Sequence, residues 1–60
     1  MTRKDYVEVA SILNRLAKSI EPKTSESKAF DIAVGDLCEM FLADNPRFDS
    51  LRFVEAVHRA

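Results

Sequence analysis

Asn45-Pro46-Arg47-Phe48-Asp49 constrains this chain more than any other segment, because one helix must stop there and another must start. Proline disfavours helical backbone at the residue before it, so the apolar run leading to Asn45 ends at that point. Asp49 then stands where a carboxylate accepts a hydrogen bond from the free N–H groups of a new helix. Phe48 precedes that cap and Phe53 follows it by four positions, the spacing of a hydrophobic staple. The segment predicts a rigid corner that sets how the last helix approaches the rest of the fold.

Two further helices precede the corner. Thr2 and Asp5 have capping-box spacing, with Asp in place of the preferred Glu, and open the first. Tyr6, Val9, Ala10, Leu13, Leu16, Ala17 and Ile20 recur at three- and four-residue intervals and form one apolar stripe. Val7 and Ile12 fall on its opposite flanks. Pro22 closes that segment, and either Thr24 or Ser25 can cap the next, with Glu26 complementing the helix dipole. Ten of the fourteen residues from Ala29 to Leu42 are apolar. Such a broad face suits a central helix packed on two neighbours. Gly35 in its interior costs about 1 kcal/mol relative to alanine, which suggests a close approach by another backbone. In the last helix Phe53, Ala56, Val57 and Ala60 share one face, while Leu51, Val54 and His58 make a second stripe. The expected fold is therefore all-α, three helices over about 3–20, 25–44 and 50–59 in one domain, with the second helix central.

Composition narrows the function classes. Sixty residues lie near the lower limit for a chain that folds alone, so burying a further face by homodimerisation would help. The apolar fraction of 47% and charged fraction of 32% are those of a globular chain. Residues 1–28 carry six basic and four acidic groups, net +2, and residues 29–60 carry three and six, net −3. That mild polarity argues against strong nonspecific nucleic-acid binding. The single cysteine, Cys38, permits no internal disulfide. No apolar run approaches a membrane span and no signal core follows Met1, so a reducing cytoplasm is the expected location.

Chemistry-bearing residues are sparse. His58 is the only histidine, and any Ser–His–Asp or Cys–His mechanism would depend on it. The plainer reading is a partly exposed imidazole at a helix C-terminus, where positive charge is favoured. Cys38 lies on the densest apolar face of its helix and reads as a small core hydrophobe. Asp31, Asp36 and Glu39 share an outer face without converging as metal ligands must, which reads as a solvated surface. Neither a cofactor nor a metal site is expected, and the chain does not read as an enzyme.

Binding remains. The stripe Leu51, Val54 and His58, with Val7 or Ile12 as an extension, is a candidate protein interface, against the alternative that tertiary packing closes it. On the first helix Lys4, Ser11, Arg15 and Lys18 lie opposite the apolar stripe, interrupted by Glu8. That side could track phosphates, with Asn14 at its edge reading a base, against the alternative of an ordinary solvated face. The negative net charge and the lack of a helix-turn-helix connection favour the solvated face.

The opening Met1-Thr2-Arg3-Lys4-Asp5-Tyr6, together with Leu42-Ala43-Asp44-Asn45-Pro46-Arg47-Phe48-Asp49 and Arg52-Phe53, resembles a group of small uncharacterised proteins. These are encoded by tailed bacteriophages and related bacterial mobile elements. The shared residues are structural ones. Chains of that kind continue Arg-Phe with a leucine, alanines and a cysteine, whereas this one has Val54-Glu55-Ala56-Val57-His58-Arg59-Ala60. The resemblance implies a bacterial cytoplasm and no particular activity. The functional expectation is a non-enzymatic adaptor or modulator that binds a host or phage protein. The alternative is a small dimeric DNA-binding regulator using the basic side of the first helix.

Overall fold

A computed structural model describes residues 1–59 and contains three helices, α1 (Arg3–Ala17), α2 (Ser25–Asp44) and α3 (Ser50–Val57), with no strand among the described residues. Each helix begins where the sequence places a cap. Thr2 N–H donates to the Asp5 carboxylate at 2.8 Å, and the Thr2 hydroxyl approaches the same oxygen at 3.2 Å. That backbone hydrogen bond holds the Asp5 carboxyl below the usual carboxylate range. Of the two possible caps for α2 it is Thr24 that acts, its hydroxyl accepting from Ser27 N–H at 3.1 Å and donating to Glu21 C=O at 2.8 Å. Asp49 caps α3 by accepting from Arg52 N–H at 3.0 Å.

Two helices are shorter than their periodicity predicts. α1 stops at Ala17 and not at 20, because its last N–H groups switch to the tighter i→i−3 pattern. Ser19 N–H donates to Leu16 C=O at 3.0 Å and Ile20 N–H to Ala17 C=O at 3.2 Å. The Ser19 hydroxyl donates to the same Leu16 carbonyl at 2.7 Å and takes an acceptor that a continuing helix would use. Lys23 then turns the chain with φ of 62°, a left-handed conformation unusual for a residue with a side chain. α3 ends at Val57 and not at 59, and the expected helical position of Ala60 lies outside the described residues.

The core contains Tyr6 and Ala10 from α1, Phe30, Val34, Cys38 and Phe41 from α2, Phe48 from the corner, and Phe53 and Val57 from α3. Phe41 is the hub. Its ring lies 4.9 Å from Tyr6, 5.2 Å from Phe48 and 5.4 Å from Phe53, centroid to centroid. Phe48 and Phe53 meet at 5.5 Å with inclined rings, so the staple forms as the spacing predicts. Asn45 closes the corner from its other side: its backbone is extended before Pro46, and its side-chain oxygen accepts from Arg47 N–H at 3.0 Å.

α2 supplies the largest share of buried side chains, yet only along one stripe. Leu37 is half-buried, and Ile32, Met40 and Leu42 on its remaining surface are exposed. The most extensive backbone contact is between α1 and α3, with α2 reaching them mainly through its large side chains. The breadth of the apolar face in α2 therefore does not translate into enclosure on two flanks. Gly35 has no close neighbour either, since a Cβ there would meet nothing within 4 Å among the described residues. Gly35→Ala should consequently stabilise the protein by about 1 kcal/mol, the intrinsic helix preference unopposed by packing. Urea unfolding checks this, and a loss of stability would mean that a backbone does approach that position. Cys38 is buried, and desolvation pushes its thiol above the ordinary range, so it stays protonated and unreactive at neutral pH.

Candidate functional site

The expected interface stripe divides in three. Leu51 is 70% exposed, Val54 packs half-buried against the core, and His58 is exposed at the end of the helix. His58 Nε2 lies 3.7 Å from an Asp31 carboxylate oxygen, and its ring stands edge-on to Phe30 at 6.1 Å. Both members of that pair are open to solvent, so it adds little to stability. The physical reason for the division is that α3 is pinned by Phe53 and Val57, which turns Val54 towards the core and leaves Leu51 on the far side.

The basic side of α1 divides as well. Lys4, Arg15 and Lys18 are exposed. Asn14 is not available to read a base. Its amide nitrogen donates to the carbonyls of Arg59 at 2.7 Å and Val57 at 2.9 Å, with Ala56 C=O further off at 3.4 Å. All three partners are acceptors, which requires the nitrogen and not the oxygen to face them. Asn14 thus satisfies the last carbonyls of α3 from a different helix, a cap formed across the fold.

A groove of about 360 Å³ lies between α1, the corner and α3. Its apolar part comes from Val7, Ala10 and the aromatic residues of the corner, and its rim carries Arg3, Arg47 and Arg52. Among the described residues none of these three guanidinium groups has a carboxylate within 4 Å. Asp49, the one acid among the described residues of the groove, is the cap of α3. Sequence reasoning missed this site because Arg3 joins it from the opposite end of the chain. The available signal was the pairing of Arg47-Phe48 with Arg52-Phe53, which sets arginine beside core aromatics twice within one turn and cap.

Tyr6 forms part of the groove wall while its hydroxyl is buried without a hydrogen-bond partner among the described residues. The ring is held between Phe41 and Phe48, at 4.9 and 4.7 Å, where neither neighbour offers an acceptor. A buried unpaired hydroxyl costs roughly 1–3 kcal/mol. Tyr6→Phe should therefore leave the packing intact and raise stability by about 1 kcal/mol in urea titration; a clear loss would reveal a partner for the phenol.

Among the described residues no group of three or more His, Cys, Asp or Glu side chains converges as a metal site would, and no helix is long and apolar enough to cross a membrane. No protein-family profile matches the chain, and neither the curated proteins nor the solved structures contain a significant match.

Proposed function

We propose that this chain is a non-enzymatic protein-binding module, an adaptor or modulator acting on a bacterial host or phage component in the cytoplasm. The observation that carries the reading is the groove: an apolar recess bordered by Arg3, Arg47 and Arg52, all without carboxylate partners among the described residues. Aromatic and apolar surface ringed by arginine is the composition that protein interfaces favour. Val7, at the groove, is 63% exposed, a large apolar side chain positioned for contact. Leu51, Ile12, Leu16 and Met40 are also exposed, and they offer surface for a homodimer of this small chain.

A second reading, the small dimeric DNA-binding regulator, rests on Lys4, Arg15 and Lys18, which are exposed and without close carboxylates among the described residues. It does so without Asn14, whose amide is committed to α3. Affinity capture from nuclease-treated bacterial lysate separates the two. The adaptor retains a discrete protein, and Val7→Asp or Leu51→Asp reduces the yield. Retention of nothing but DNA, with salt-sensitive duplex binding abolished by reversing Lys4, Arg15 or Lys18, overturns the adaptor reading.

A further inference from the structure

We infer that the groove between α1 and α3 takes a short acidic segment of a partner protein, carboxylates on the three arginines and one apolar side chain in the recess. This rests on the protein-binding reading and names the partner's chemistry. The described lining carries three arginines and one acid, Asp49, which caps α3 and lies beyond 4 Å of all three guanidinium groups, so the groove is net positive. A net positive charge around one recess is self-repulsive, and no carboxylate of the described residues lies within 4 Å of these guanidinium groups. A partner that brings carboxylates removes that repulsion and offers the guanidinium groups bidentate acceptors.

The recess decides between carboxylates and phosphates. Val7 and Ala10 on α1, with Phe48 and Phe53 opposite, give it an apolar lining between the charges. A nucleic-acid duplex brings phosphates with its bases stacked away, so it has no apolar group to bury there, whereas an acidic peptide with an interposed Leu or Phe supplies both. A single strand, whose bases can stack, is separated by the oligothymidine probe. The volume, about 360 Å³, is at the small end of the range for ligand sites, suited to one or two side chains.

The test is fluorescence polarisation with the full chain and a labelled short peptide in which Glu and Asp flank Leu and Phe. Three control probes accompany it: the same peptide with Lys for the acids, the same with Ser for Leu and Phe, and oligothymidine. The acidic apolar peptide binds, the two altered peptides bind at least about tenfold more weakly, and added salt weakens binding. Arg47→Glu and Arg52→Glu each lower affinity by about tenfold, while Ile32→Asp, on the exposed far side of α2, leaves it unchanged. Both reversals lie on exposed positions, and circular dichroism of each variant verifies the fold. Equal binding of all the peptides overturns the inference, as does no binding of any. Tighter oligothymidine binding through the same arginines overturns it in favour of phosphate. Self-association broken by those reversals, with the peptide ignored, overturns it in favour of a second copy. Lysate capture that survives Arg47→Glu and Arg52→Glu leaves the adaptor reading standing and removes this groove from it.

Discussion

Replacing Phe41 with alanine should remove most of this protein's folding stability. Phe41 is 1% exposed and contacts the rings of Tyr6, Phe48 and Phe53, so it joins α2 to α1, to the corner and to α3 at once. Truncating a buried phenylalanine costs about 3–5 kcal/mol through lost transfer energy and the cavity left behind. A chain of this size has a total stability of only about 3–9 kcal/mol at the usual per-residue range. The loss is thus comparable to the whole. Thermal melts followed by circular dichroism should show the midpoint falling by tens of degrees, at roughly 4–8 °C per kcal/mol. A fall of a few degrees would mean that the four rings do not form one hub.

The second large effect falls on Asn14. Asn14→Ala removes the amide that donates to Val57 and Arg59 and leaves the end of α3 to solvent, at a cost of about 1–3 kcal/mol. Asn14→Asp should be worse than alanine. A carboxylate would place an acceptor against three acceptors and a negative charge at the negative end of the helix dipole. Protonating that aspartate restores a donor, and this site raises its pKa, so the Asp variant should recover part of its stability as pH falls towards about 4. Urea unfolding of both variants at neutral and acid pH measures the order. Equal losses for Ala and Asp would show that the amide is not oriented towards the α3 carbonyls.

What the sequence could and could not disclose follows from how far apart the interacting residues lie. Thr2 with Asp5, Thr24 with Ser27, and Asp49 with Arg52 act within one helical turn, and residue types at fixed spacing reveal them. The staple of Phe48 and Phe53 is local in the same sense. Asn14 was legible only as a polar residue at the edge of a basic face, because its partners are 42 to 45 positions away. The groove has the same origin: Arg3 and Arg47 become neighbours only through the packing of α1 on the corner. The two-sided apolarity of α3 was real, but a periodic pattern cannot say which stripe wins the core. Phe53 and Val57 took it, and Leu51 was left outside. The ends of α1 and α3 were overestimated because the apolar spacing runs on to Ile20 and Ala60, whereas the N–H groups of Ser19, Ile20 and Arg59 turn to i→i−3 acceptors.

The central functional claim is that this chain meets a protein through its arginine-bordered groove, and site-specific photocrosslinking tests it most directly. A photoreactive residue placed at Val7 samples the groove, and one placed at Ile32 samples the exposed far side of α2. In bacterial cells producing the full chain, the account predicts a discrete protein adduct from position 7. It should be weak or absent from position 32, and lost from position 7 when Arg47 and Arg52 are both reversed to Glu. Equal labelling from both positions, or a position 7 adduct indifferent to the arginines, would contradict the claim.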